Sequence, residues 1–139
     1  MEGYFLYKRE VNYYETDRMG IVHHSNYARY LEEARIRLLE GLGIPLTLIE
    51  GKGYMIPVLS LSSRFLESIK FGERINIYLK LSRVSSAKFF VEYKIYDETG
   101  TRLLHEAESS HCFIDSAFKP VAIKKLPEEI AGGLSEAAK

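Results

Sequence analysis

Apolar and polar side chains alternate with a period of two from Ile75 to Ser82 and again from Phe89 to Tyr96, as in strands with one covered face. Tyr4 to Val11 reads the same way, with Phe5, Tyr7 and Val11 on one side and Lys8 and Glu10 on the other. From Asn26 to Glu40 the period changes. Tyr27, Tyr30, Leu31, Ala34 and Leu38 recur at three- and four-residue spacing and predict a helix, while Ile36 and Leu39 widen its apolar stripe enough to be covered on more than one side. Glu33 and Arg37 stand at i,i+4 and predict an ion pair on that helix. Gly41 and Gly43 end it, and Pro45 opens a short second helix to about Glu50. A strand is expected from Tyr54 to Phe65, with Pro57 breaking its ladder and pointing to an edge position or a bulge. Asp97 to Gly100 is a turn, after which Leu103 to Ile114 returns as the antiparallel partner of the strand before it. The tail, with Pro127 and Gly132-Gly133, reads as a short helix or a frayed end.

The order is strand, long helix, short helix, then four strands. That predicts one α+β domain over residues 1–139, in which an antiparallel sheet packs against or curls around the long helix. Exposed edges in so small a sheet favour pairing with a second copy. Charge narrows the partners: 19 basic and 19 acidic residues in 139 cancel, so no overall field steers the chain to nucleic acid or anionic lipid, although a local phosphate site stays open. No apolar run approaches the ~20 residues of a membrane span and the first residues lack a leader-like pattern, so a soluble cytoplasmic protein without an integral membrane segment is expected. The single cysteine, Cys112, has no internal disulfide partner and sits in a strand-like run, where a small buried hydrophobe is the ordinary role.

The chemistry concentrates in Tyr13-Tyr14-Glu15-Thr16-Asp17-Arg18-Met19-Gly20-Ile21-Val22-His23-His24-Ser25-Asn26-Tyr27. Gly20 permits a tight backbone path, and Ser25 and Asn26 are both good helix N-caps, so the first amides of the long helix are expected to point back toward Asp17. A carboxylate beside such donors is the minimum equipment for attack on an ester, amide or thioester carbonyl. Taken alone, an aspartate in a turn before a helix is more often a cap or an Asx-turn. His23 and His24 are candidates for acid–base chemistry or polar fillers at the helix start. His105 and His111 share one face of a strand, but no carboxylate or cysteine stands at ligand spacing, so no metal site is expected.

The run from Tyr14 to Tyr27, with Glu33-Ala34-Arg35 downstream, resembles the signature of hot-dog-fold acyl-CoA thioesterases of the 4-hydroxybenzoyl-CoA thioesterase type, in particular the bacterial branch associated with the Tol-Pal gene cluster. Element order, the Ser85-Ser86-Ala87-Lys88 turn and the length match as well. The resemblance implies a five-stranded antiparallel sheet wrapped around one long central helix, homodimers that join two sheets and often pair again into homotetramers, and sites at the subunit interface. Asp17 then matches the catalytic aspartate, as nucleophile or general base, and His24 matches the position whose backbone amide polarises the thioester carbonyl. No cofactor or metal is implied. Gly20, Tyr27, Ser86 and Lys88 are the candidate substrate-binding residues, with Arg64, Arg83, Lys124 and Lys125 as further candidates for coenzyme A phosphates. Tyr30 and Met55, like Tyr27, are candidates for an acyl pocket or for core packing. The expected substrate is an acyl-CoA, with an acyl-carrier protein as the other carrier. Two other readings stand beside it: a non-catalytic acyl-CoA or acyl-carrier binding module, which retention of Asp17 disfavours, and a hot-dog hydratase or dehydratase, which the Thr16 to Gly20 context disfavours.

Overall fold

Five long strands, β1 (Phe5–Glu10), β2 (Val58–Phe65), β3 (Arg74–Val84), β4 (Lys88–Asp97) and β5 (Leu103–Ile114), pair antiparallel in the order β1-β3-β4-β5-β2 and curl around helix α1 (Ser25–Gly41). The structure is a computed structural model and describes residues 1–138. Helix α2 (Leu46–Gly51) follows α1 directly, and α3 (Glu128–Ala137) closes the chain. A two-residue strand β6 (Pro120–Val121), too short to carry a period and absent from the sequence expectation, pairs with Phe113 and Ile114 at the end of β5.

The periodic positions form the core. Tyr27, Tyr30, Leu31, Ala34 and Leu38 of α1 are buried in one cluster with Ile75, Ile77 and Leu79 of β3 and Phe89, Val91 and Ile95 of β4. Fully burying each large aliphatic side chain stabilises the fold by about 1.5–3 kcal/mol, which is why the alternation in β3 and β4 fixes the register so firmly.

Two local expectations are corrected, and for the tail the first of its two expected forms, a short helix, is the one that occurs. β2 begins at Val58, not Tyr54, because Pro57 cannot extend the ladder; Met55 makes only an isolated bridge to Ile114. The edge position and the irregularity both occur, the register with β5 shifting between Val58 and Ser60. Glu33 does not pair with Arg37. It accepts from Arg9 Nε (2.6 Å) and Tyr7 Oη (3.1 Å), and Arg37 turns to Glu40 instead, at 3.0 Å. The tail is an ordered helix that buries Ile130 and Leu134. A Cβ at Gly133 would stand 2.9 Å from Ile44 Cγ2 and 3.2 Å from the Leu42 carbonyl oxygen, so a residue without a side chain lets α3 lie against the turn after α1.

The β5 row beneath α1 is small and polar: His105, Ala107, Ser109 and His111, with both histidines fully buried. Burial holds each imidazole down to about 4, and the Arg35 charge adds to the effect at His111. Because the folded value lies below the unfolded one, the unfolded chain takes up these protons first as pH falls. The stability is full above about pH 6.5 and declines toward pH 4. Urea denaturation should show a loss of roughly 1–1.5 kcal/mol per histidine between pH 7.5 and 5.5, and the His105→Phe/His111→Phe variant should lose that pH dependence. An unchanged slope in the variant would exclude the histidines as its source.

Candidate active site

The turn that carries Asp17 is fixed from both sides by main-chain bonds. The Asp17 N–H donates to the Ile21 carbonyl (2.8 Å) and the Gly20 N–H to the Asp17 carbonyl (3.0 Å), while Gly20 takes φ +78° to let the chain reverse. The Val22 N–H donates to the Ile69 carbonyl (2.7 Å), and Ile21 bridges Lys70, which seats the turn against the segment after β2. Met19 N–H donates to Asp17 Oδ1 at 2.8 Å, an Asx-turn bond. Among the described residues no protein donor reaches Oδ2, so one carboxylate oxygen is held and the other is free.

The start of α1 is built differently from the expectation. Neither Ser25 nor Asn26 caps it. His24 already has helical dihedrals (φ −55°, ψ −28°) and makes no side-chain cap; His23 Nδ1 lies 3.2 Å from the Ser25 amide and 2.8 Å from its hydroxyl. Asn26 is buried and donates from Nδ2 to the Glu15 carbonyl (2.8 Å), which also accepts the His23 N–H (2.9 Å). The His23 carbonyl accepts from Asn26 N–H, and the His24 carbonyl from Tyr27 N–H. No described residue accepts the His24 N–H. It remains a free donor at the positive end of a 17-residue helix.

Asp17, Met19, Ile21, His24 and Tyr27 line one open cleft of ≈ 290 Å³, closed on the other side by Phe65 to Ser68. The Tyr27 ring stacks on His105 at 4.5 Å and meets Phe65 edge-on at 4.8 Å. Burial pushes its phenol up, so it stays a neutral donor. Tyr30, weighed for an acyl pocket, is core instead: it is fully buried and donates to Glu15 Oε1 at 2.9 Å. The contribution of Phe65 to Ser68 carried no local signal in the sequence, since it depends on how the end of β2 folds back onto the Asp17 turn.

Ser86 and Lys88 are not brought to this cleft within one chain. Lys88 pairs with Cys112 on β5, whereas the cleft lies by His105, seven residues or roughly 23 Å away along the strand. Their end of the sheet gathers other cations, because the Ile123 N–H donates to the Ser86 carbonyl (2.9 Å) and so docks the turn carrying Lys124 and Lys125. Arg64 bonds Glu106 at 3.3 Å, and Arg83 covers the Phe90 ring at 4.0 Å.

What sequence reading missed is the anchor of the Asp17 loop. Arg9 Nη1 and Nη2 grip Glu15 Oε1 (2.7 Å) and Oε2 (2.5 Å), Nε binds Glu33, and the guanidinium lies 4.2 Å over the Tyr30 ring. Glu15 is only 4% exposed. Burial pushes its carboxyl up, but the donors from Arg9, the Asn12 amide and Tyr30 outweigh burial and hold it below its ordinary value. The available signal was the inward phase of Arg9, between Tyr7 and Val11 on the covered side of β1.

An α-helix held in a curled antiparallel sheet defines a hot-dog fold, and here Asp17 and the helix-start residue His24 line one cleft of it. The profile of the Thioesterase-like superfamily matches residues 11–134, and the chain belongs to that family, a class of thioester hydrolases. A Bacillus subtilis protein provisionally named acyl-CoA thioesterase YneP is 34% identical over 117 residues, covering 84% of this chain and 84% of that protein. The 1,4-dihydroxy-2-naphthoyl-CoA hydrolase of Thermosynechococcus vestitus is 27% identical over 133 residues, with 88% and 90% covered. Among solved structures, the DHNA-CoA thioesterase of Staphylococcus aureus superposes with a TM-score of 0.90 at 27% identity, over 96% of this chain and 89% of that one.

Arg9→Met should destabilise the fold by about 3–5 kcal/mol, because it strands the buried Glu15 carboxylate without its counter-charge. Glu15→Gln should cost less. Urea midpoints measure both, and a loss below about 1 kcal/mol for Arg9→Met would show that the cluster does not hold the loop.

Proposed function

We propose that this chain is an acyl-CoA thioesterase that hydrolyses its substrate to a free acid and coenzyme A. The observation that carries the reading is that Asp17, with one carboxylate oxygen unbonded, and His24, whose N–H no described residue accepts, line the same cleft. As nucleophile, Asp17 attacks the thioester carbon, the carbonyl oxygen takes the charge and is met by the His24 N–H, and the coenzyme A thiolate leaves a mixed anhydride that water then cleaves. As general base, Asp17 takes a proton from the water that attacks directly. Each route consumes one water and releases the free acid and the coenzyme A thiol. Membership of the 4-hydroxybenzoyl-CoA thioesterase type and its Tol-Pal-associated branch is part of this proposal and rests on the Tyr14 to Tyr27 signature.

Gly20 keeps the turn free of a side chain, and Tyr27 walls the acyl side of the cleft. Ser86 and Lys88, with Lys124 and Lys125, meet the phosphates of coenzyme A from a second copy. β2 supports this arrangement. It is an edge strand with Val58, Leu61 and Phe65 exposed at 51, 43 and 55%, and antiparallel pairing of two such edges sets the Val58 end of one copy beside the Phe65 end of the other. Val58 pairs with His111, which pairs with Phe89, the neighbour of Lys88. An acyl-carrier protein would present the same thioester without the nucleotide phosphates, so a Lys88→Ala loss confined to KM for coenzyme A esters separates the two carriers.

Asp17→Asn should fold normally and lose nearly all thiol release from acyl-CoA esters; activity within about threefold of wild type would sink the assignment. His24→Ala retains the backbone N–H and should lose less than about tenfold. A loss of a hundredfold or more would move the imidazole into the mechanism. Light scattering should give a homodimer or homotetramer, and a fully active 16.0 kDa monomer would refute the shared site.

A further inference from the structure

Arg35 lies on α1 eleven residues beyond His24, about 16 Å along the axis, and is half-buried. Its guanidinium makes one described hydrogen bond, from Nη1 to Tyr93 Oη at 3.0 Å. Tyr93 Oη is 2.6 Å from Ser109 Oγ, and Ser109 Oγ is 2.7 Å from His111 Nε2, so a line of polar groups runs from the helix face into the core and holds the guanidinium in place. Among the described residues no carboxylate reaches it. A cation with five N–H donors, half out of water and answered only by a phenol, lacks its counter-charge.

Glu32, one turn earlier on the same face, is exposed and has no described partner either. Together they border an apolar cleft of ≈ 220 Å³ whose far wall is Val58, the first residue of the bare edge strand, with Ile56 just before it. Charge and hydrophobic surface therefore lie unpartnered side by side, at the edge itself.

The symmetry of edge pairing decides what fits there. α1 runs antiparallel to β2, since Tyr27 packs on Phe65 while Ile36 and Leu39 border Val58. Antiparallel pairing over the full length of β2 would put the two-fold axis near Leu61 and Ser62, and Arg35 stands level with that stretch, because its partner Tyr93 pairs with Ala107 and Ala107 with Ser63. That axis sets each α1 antiparallel to its mate, and an acid followed by a base then faces a base followed by an acid. β2 itself specifies its register weakly. Val58, Leu59 and Leu61 put apolar side chains on both faces of the pleat, and Ser60, Ser62 and Ser63 fit either way, so a slip along the edge meets little resistance.

We propose that Glu32 and Arg35 form two reciprocal ion pairs with the partner subunit's Arg35 and the partner subunit's Glu32, and that these pairs fix the register in which two β2 edges join. The inference rests on the edge-to-edge dimer put forward above. Glu32→Arg places only cations at the axis and Arg35→Glu only carboxylates, so each variant alone should raise the dimer Kd at least about tenfold in sedimentation velocity. An equimolar mixture of the two should recover association to within a few-fold of wild type, because every Arg then faces a Glu. Glu32 is exposed, so Glu32→Arg leaves the fold intact and tests the pair independently of the Tyr93 contact that Arg35→Glu removes. A monomeric wild type would overturn the edge-paired dimer itself. A dimeric wild type whose single variants keep its Kd, or whose variant mixture fails to recover association, would overturn the ion pairs and leave the dimer standing.

Discussion

The Arg9 guanidinium joins three elements through one charged group: strand β1, the loop that carries Asp17, and helix α1. Two carboxylates and an aromatic face surround one cation, and the bidentate geometry to Glu15 offsets much of the cost of taking these charges out of water. Glu15 then acts twice. Its side chain is fixed by Arg9, Tyr30 and the Asn12 amide, and its backbone carbonyl receives the His23 amide and the Asn26 side chain. Both ends of the Asp17 turn are thereby referred to one buried residue, two positions from the carboxylate that the proposed reaction uses.

The cleft draws on the parts of the fold that stay unsatisfied. α1 begins without an acceptor for its His24 amide, β2 ends as an unpaired edge, and Asp17 leaves one oxygen unbonded where the two meet. Departures from local consistency of this kind are where function is found in otherwise well-packed domains. The polar row beneath α1 is tied on one side only, by His105 Nε2 to Ser63 and by His111 Nε2 to Ser109 and through it Tyr93, while the Nδ1 atom of each buried imidazole has no described hydrogen-bond partner.

Sequence reading recovered what short-range periodicity encodes. The alternation in β3 and β4 and the three-and-four spacing in α1 placed those elements within a residue or two, and the Tyr14 to Tyr27 signature pointed to the loop where the cleft lies. It failed where a residue is claimed from a distance. Glu33 has Arg37 at helical spacing but is taken by Arg9, 24 residues earlier on a neighbouring strand. Ser25 and Asn26 have the right chemistry for caps, yet Asn26 is drawn off by the Glu15 carbonyl, Ser25 lies inside the helix with its amide and hydroxyl against His23 Nδ1, and the N-cap position falls to His24. Ser86 and Lys88, placed with the ligand by resemblance, lie at the far end of the sheet from Asp17, and nothing in one chain's sequence states which copy supplies which end of a site.

The contact between α3 and the turn after α1 bears on how this chain can vary. At Gly133 the space a methyl group would need is already filled by Ile44, and the neighbouring Leu42 carbonyl cannot retreat without moving the end of α1. The two positions therefore share one volume. A smaller residue at 44 would relieve the tighter of the two contacts an alanine at 133 makes, leaving the 3.2 Å approach to the Leu42 carbonyl, so drift at either site is conditional on the other and related chains should trade size between them while the helix keeps its seat.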